Sequence, residues 1–520
     1  MFFAIYVNSA LCQKGRRAWS QTLRMRALPC VWDTIVNYEV KEETMRKTIL
    51  VIGILTMAHG VWVADRTPHF CGGAGRLVGM ACAYASEDPV EANRTYFLNQ
   101  FGFTLDNVFW GEFHSHTKYS TDAAKCGALT PDKAYKYARD TAHLHFVGLN
   151  DHAEEQNQKA IPKKDQKIGL NNWQSVLKTG QKYNNENPSK GKAFIVFPVW
   201  EYTNTHGLPG VGGSVHGYGH KNVVFKNLNP DILPPDEYGA FNVDSEYLAK
   251  NASELWEKLD GYGPLCEECE GSAITIVHTP AHVGEGYGDA QDHRTDWSFM
   301  DRDFVRNVEV YSKWGSSEGP PPSEEGCPAE DLFEYTSSEE GDPLSVRSTL
   351  LKYWVQEGDS AFLLGFVGGT DNHMGQPGNA STNQCNFPYR GGITGIVAPS
   401  LTRDNLWSNL WNRHTLATST GAPMAILMAA ETNGNHFFMG DQGLPSEAVR
   451  VRALSTSGVE KLELIVDGCV HTAVTGYALD VVLNLDSSRH YIYVRASLHD
   501  TTGDLLHAWT SPVYLGIQEK

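Results

Sequence analysis

Five apolar stretches of this chain end in the same way, and that ending constrains the fold more than any other feature. "VFWGEFHSH" closes on His114 and His116, and "LHFVGLNDH" on Asp151 and His152. "KAFIVFPVWE" closes on Glu201, "SAITIVH" on His278, and "SAFLLGFVGGTDNH" on Asp371 and His373. Short apolar runs rich in β-branched and aromatic residues read as strands buried on both faces. Residues two apart in a strand share a face, so His114 and His116 aim two imidazoles at one point. Scattered core histidines would not be confined to strand ends.

Helical patterns separate these strands. "TPDKAYKYARDTA" (130–142) has Thr130 as a candidate N-cap and Pro131 at the first helical position. Helices are also expected over 171–184, 245–263, 343–358 and 403–415, and further strands over 305–312 and 391–400. Strand and helix alternating at this spacing make βαβ units. The fold class is therefore α/β, a (β/α) barrel over 109–422, with every strand's carboxyl end at one rim where the chemistry sits. After residue 422 the helices stop and strand alternation takes over. This predicts a small C-terminal antiparallel β-sandwich over 423–520. Residues 315–342, rich in Gly, Pro, Ser and Glu, read as a loop insertion over the barrel mouth. Residues 65–108 are a lead-in of short elements.

From Met45 the chain reads "MRKTILVIGILTMAHGVWVAD", a basic start, an apolar stretch and small residues, as in a secretory signal peptide over 45–64. It is too short and poorly flanked for a stable membrane span. Residues 1–44 make little sense ahead of such a segment and read as a mis-called upstream extension, with translation starting at Met45. The expected location is periplasmic or secreted. Eight cysteines follow residue 64, an even number that permits disulfides in an exported chain. Cys266 and Cys269 have CxxC spacing without a second CxxC, so a structural role such as a disulfide is favoured over zinc.

The chain of 520 residues is 41% hydrophobic, enough for a large core, and carries a formal charge of −18. That balance argues against nucleic acid as a partner. It still permits a small anionic substrate, because bound cations supply local positive charge. The donors that qualify as metal ligands are His114, His116, Asp122, His152, Glu201, His220, His278, Asp371 and His373. These are too many for one ion and suit two or three. Imidazole and carboxylate without thiolate favour Zn, Mn or Fe. Such a cluster activates water and clamps the oxygens of a displacement at phosphorus.

Several motifs, in order, carry a resemblance. "GEFHSHTKYSTDA", "LNDHAE", "WEYT…GHKNVVF", "DWS…VEVYSKWGSSE", "GGTDNHMGQPG" and "GGITGIVAPSLTRDNLWSNLWNRHTLATSTGA" resemble the DUF3604 family of the PHP (polymerase and histidinol phosphatase) superfamily. The likeness runs over residues 109–425. It implies a distorted (β/α)7 PHP-type barrel with up to three divalent metal ions, and phosphoesterase activity. By that likeness His114 and His116 are the H-x-H pair, and Asp122 stands where other members place histidine or aspartate. His152 matches an Asp-His motif, Glu201 the bridging carboxylate, His278 a later single histidine, and Asp371 and His373 the closing D-x-H. His220 fills the place of one more histidine, for which His206, His216 and His282 compete.

Asp371, His282 and Arg413 are the candidates for direct catalytic roles, His282 as a proton donor and Arg413 as an anion clamp. Arg413 has an equally plain reading, a helix-end arginine on the dipole. Asp151 reads as a partner orienting a histidine. Glu309 is either at the mouth or in a structural ion pair. Tyr119 and Lys125 are weaker candidates for substrate contact, and Trp200 reads as core. The expected activity is metal-dependent hydrolysis of a phosphate ester. Hydrolysis or lysis at a carboxylic ester, amide or other carbon–heteroatom bond stays open, as does a non-catalytic cell-surface binding protein.

Overall fold

The computed structural model describes residues 88–516 except 153–167, 205–218, 229–251, 260–272, 283–293, 382–384, 386, 388, 445 and most of 322–342. Before residue 88 it describes three strands, Phe3–Tyr6, Ser20–Ala27 and Ile35–Glu39, paired antiparallel in sequence order. Met1–Tyr84 and Ala85–Lys520 are separate units. The expected signal peptide, His206, His216 and the Cys266/Cys269 pair lie outside the described residues. Among the described residues, no helix is long and apolar enough to cross a membrane.

Seven strands position the site. They are β1 (Val108–Glu112), β2 (Phe146–Leu149), β3 (Ile195–Asn204), β4 (Gly219–Phe225), β5 (Ala273–His278), β6 (Val305–Ser312) and β7 (Gly365–Gly368). They lie in that order in one sheet, with β7 on β6. Neighbours are parallel except around β4, which runs antiparallel to both β3 and β5. The sequence between β3 and β4 explains this. "THGLPGVGGSVHGY" is rich in glycine, a poor helix former, whereas a parallel return needs a long crossover that is usually a helix. Beyond β1 and β7 the chain ends of the sheet meet. Asp371 N–H donates to His114 C=O at 2.9 Å and His116 N–H to Asn372 C=O at 3.0 Å, making one parallel bridge, Ser115–Asn372.

Helices α1 (Pro89–Phe101), α2 (Thr121–Lys125), α3 (Pro131–Asp140), α4 (Ile168–Tyr183) and α5 (Ala252–Leu259) fall between these strands or before them. So do α6 (Val346–Thr349, continued as a π-helix over Leu350–Glu357) and, after β7, α7 (Arg403–Trp411). Thr130 caps α3 by accepting from Lys133 N–H, and Pro131 occupies its first turn. The period-2 faces of the strands build the interior. Phe197, Val199 and Glu201 alternate along one face of β3, Val224, Asn222 and His220 along β4, and Ile274, Ile276 and His278 along β5. The apolar members pack together with Phe113, Phe146 and Val367 in one buried cluster. Each face therefore changes from core to polar donor at the same end.

β8 (Thr394–Val397) pairs antiparallel with β1 and with β9 (Thr415–Thr418), and β9 pairs with strand Leu505–Thr510. The C-terminal region is antiparallel, as its alternation predicts, but for one short parallel pair between Gln442–Gly443 and Val513–Leu515. The pairing of β9 continues the site-bearing sheet into the strands of the expected 423–520 sandwich, and Ala85–Lys520 is one compact unit. The described part of the lead-in, from residue 88, belongs there as well. Asn93 on α1 donates to Ala453 C=O at 2.9 Å and Leu479 C=O at 2.8 Å.

Residues 315–342, expected as a loop insertion, are described only in part. The described ones turn towards the C-terminal sheet. Glu318 is fully buried and accepts from Arg347, Arg495, Tyr493 and Trp509. Glu330 joins the same two arginines, and a disulfide links Cys327 to Cys469. Two arginines in one place need several carboxylates when both are buried, and this stretch supplies them.

Candidate metal centre

Glu201 stands at the centre of the polar end. Its Oε1 lies 2.9 Å from His220 Nδ1, 3.3 Å from His152 Nδ1 and 3.6 Å from His278 Nε2. Its Oε2 lies 3.3 Å from His116 Nε2 and 3.7 Å from His114 Nε2. Asp371 Oδ1 faces the same two nitrogens, at 3.1 Å from His114 and 3.0 Å from His116. Asp122, on α2, closes the outer side, with Oδ2 at 2.6 Å from His373 Nε2 and 3.2 Å from His152 Nε2. All of these except the partly exposed Asp122 are buried. Within the cluster, His116/His152/His373, His114/His116/Glu201 and Glu201/His220/His278 each bring three donor atoms within 4.8 Å of one another, and so does His114/His278/Glu309.

Neighbouring groups decide which ring nitrogen faces inward. Glu309 accepts from His114 Nδ1–H at 2.9 Å. That approach requires glycine at 369, where a Cβ would meet Glu309 Oε2 at 2.2 Å and His114 Cβ at 2.7 Å. Ser120 Oγ donates to Asp151 Oδ1 at 3.0 Å, so it accepts from His116 Nδ1–H at 3.1 Å. Asp151 in turn is fixed by the Thr117 and Ser120 amides. His373 Nδ1–H donates to the Asp371 carbonyl at 2.9 Å. In all three histidines the outer nitrogen is engaged, so Nε2 is the atom turned to the cluster.

Those inward atoms are the test of fit. His114 Nε2, His116 Nε2, both nitrogens of His278 and Asp371 Oδ1 are buried and make no hydrogen bond within the protein. Lone pairs of nitrogen and oxygen about 3 Å apart repel unless a proton or a cation lies between them, so the donor set fits divalent ions. Charge follows the same logic. Burial alone would raise Glu201 and Asp371, but surrounding histidines outweigh it and hold both well below the usual carboxylate range. Burial, together with His114, pushes His278 well below its ordinary value, so it stays neutral and able to ligate. Asp371 carries φ of +46°. That left-handed backbone is strained for a residue with a Cβ, though aspartate tolerates it better than most.

Asp371 and the other eight proposed ligands all come to this one cluster. His220 reaches it because β4 is antiparallel, which puts that strand's amino end beside its neighbours' carboxyl ends, with His220 opposite His278 in register. His282 lies at the edge, half-buried, its ring 4.4 Å from that of Trp314. Arg413 does not reach the cluster, which corrects its assignment as an anion clamp. It is buried at the opposite end of the sheet, donating to Gly440 C=O, and packs beside Gly365, the first residue of β7. Lys125 is exposed on α2. Tyr119 pairs through its hydroxyl with Ser175, and Trp200 is core.

A model of the family described as "Protein of unknown function (DUF3604)" matches residues 104–148. That span holds β1, the H-x-H pair, Asp122 and Ser120. No curated protein matches the chain. Among solved structures, a two-domain protein of Bacteroides vulgatus containing a predicted PHP-like metal-dependent phosphoesterase aligns over 80% of this chain and 96% of its own. The identity is 13% and the TM-score 0.35.

Ser120, Trp314 and Phe387 touch the site residues and escaped the sequence reading. Ser120 carried a signal, as a serine directly ahead of the short helix that holds Asp122. Trp314 follows β6 and so obeys the strand-end rule that singled out the histidines. Its indole N–H donates to Asp371 Oδ2 at 2.6 Å, which leaves Oδ1 to the cluster. Phe387, 4.7 Å from the His373 ring, sits in a loop whose sequence gives no such hint.

Proposed function

We propose that the protein is an exported, metal-dependent hydrolase of phosphate esters, built on a distorted seven-stranded (β/α) barrel. One observation carries the reading. Histidine and carboxylate side chains from six strands or strand ends converge around Glu201 and Asp371, and among them His114 Nε2, His116 Nε2, both nitrogens of His278 and Asp371 Oδ1 are buried without a hydrogen bond in the protein. His114, His116, Glu201 and Asp371 would hold one ion, Glu201 with His220 and His278 a second, and His116, His152, His373 and Asp122 a third.

Two or three divalent ions, when bound, activate water and neutralise charge on phosphoryl oxygens. The chain's own residues do the rest. Glu309 and the Ser120–Asp151 pair hold His114 and His116 in one tautomer. Trp314 holds Asp371 with Oδ1 turned inward. His282 would give a proton to a departing alkoxide. Export is supported by two disulfides, Cys126–Cys385 and Cys327–Cys469, since such bonds persist in oxidising compartments.

Metal analysis followed by a panel of aryl phosphate mono- and diesters, carboxylic esters and lactones tests the reading. Phosphate-ester turnover that is lost with EDTA and lost in His116→Ala is the expected result. Turnover of carbon esters alone would move the reaction to a different bond on the same site. Tight metal binding with no turnover at all would leave a binding protein.

A further inference from the structure

One edge of the site is built from rings. His282, Trp314 and Phe387 are each half-buried, while the donors beneath them are buried. They arrive from three segments, after β5, after β6 and in the loop between β7 and β8. Their rings form a continuous series. His282 lies 4.4 Å from Trp314, Trp314 5.0 Å from Phe387, and Phe387 4.7 Å from His373.

Two of these rings are held in place. Trp314 is tied through its indole N–H to Asp371 Oδ2. Phe387 follows Cys385 by two residues, and the disulfide from Cys385 to Cys126 fixes that loop to the end of α2. Lys313 adds a cation to the same edge, its Nζ 5.6 Å from the Phe387 ring centre. Rigid aromatic faces lose little freedom when they bind, and they favour offset or edge contacts with another π system. A leaving group that projects from the cluster across this edge would lie against these rings.

We infer that this aromatic rim is the leaving-group subsite, and that it selects phosphate esters of planar, unsaturated alcohols over those of saturated ones. The inference rests on the phosphoesterase reading and names its substrate class. Trp314 and Phe387 are the specificity-determining residues.

The test titrates the metal-loaded protein with phenylphosphonate, cyclohexylphosphonate and methylphosphonate, which have no ester bond to cleave, by calorimetry. Phenylphosphonate should bind about tenfold more tightly than the other two. Phe387→Leu keeps apolar bulk against His373 without the π face. It should cut that preference to about twofold at unchanged metal content, and Phe387→Tyr should restore it. Equal binding of the phenyl and cyclohexyl compounds overturns the rim's role, as does a phenyl preference that survives in Phe387→Leu. Binding of all three alike leaves the phosphoesterase reading standing and removes this inference alone. Fully metal-loaded protein that binds none of them removes both.

Discussion

Glu309 grips His114 from behind, with both carboxylate oxygens at 2.9 and 3.1 Å from Nδ1. The opposite nitrogen of the same ring faces Asp371 and Glu201. Orientation and tautomer of His114 are thus set by a residue on the far side of its ring. Glu309→Gln keeps the shape but can turn either an oxygen or an N–H toward the ring. It should lower metal affinity about 10- to 100-fold. Competition against a calibrated chelator measures this, and an unchanged dissociation constant would refute it.

Metal binding should release protons. In the metal-free protein burial opposes charge on His114, yet Asp371 and Glu309 raise it well above its ordinary value. His373 is raised in the same way by Asp371 and Asp122. Both rings therefore hold a proton more firmly than a free imidazole does, and an incoming ion has to displace it. Affinity must then weaken as the pH falls, because protons compete for the same lone pairs. Calorimetry of metal binding in two buffers of different ionisation enthalpy gives the proton count, and heats that do not depend on buffer would contradict it.

The strand-end rule made most of the cluster legible. It works because a sheet buried on both faces leaves only its ends for polar side chains, so His114, His116, His152, His278, Asp371 and His373 stood out against apolar runs. β6 ran over 305–312 as its alternation predicts. His220 was harder, since β4 reverses direction and carries its donor at the amino end, where the rule does not look. Arg413 misled because a helix-end arginine near a motif carries no sign of which end of the sheet it faces. The union of the C-terminal strands with the main sheet depends on β9 pairing with Leu505–Thr510. A contact across that sequence distance leaves no periodic trace in either segment. Glu309 and Glu318 look alike as isolated acids, and only packing makes one a histidine clamp and the other an arginine counter-ion.

That second role has a measurable consequence. Glu318 is fully buried between Arg347 and Arg495, at 2.7 and 3.0 Å. Burial pushes its carboxyl up, but the two arginines more than reverse this and hold it well below the usual range. A carboxyl depressed in the folded state adds stability above its unfolded value and loses it as the pH falls through the folded one. Glu318→Gln should cost about 3–5 kcal/mol at neutral pH, because it strands buried positive charge. The gap from the wild type should narrow below about pH 4, where unfolded glutamate takes up its proton. Denaturant unfolding at the two pH values checks both parts, and a gap that stays constant would remove the electrostatic explanation.

The Cys126–Cys385 disulfide joins two segments that each carry part of the outer wall. Cys126 directly follows α2, which bears Asp122, and Cys385 lies in the loop beyond His373. Asp122 bonds His373 and His152 and is more exposed than the other ligands. The bond ties the end of α2 to the loop beyond His373, so without it the outer ion should be lost before the inner ones. Cys385→Ser should destabilise the fold by about 2–4 kcal/mol, the usual effect of removing such a link. It should also lower metal content without emptying the site, because Glu201, His220 and His278 are held by strands the disulfide does not reach. Metal analysis of this variant, and of wild-type protein reduced with a phosphine and alkylated, should show the same partial loss. Full retention of metal in protein whose thiols are shown to be alkylated would place the disulfide outside the support of the site.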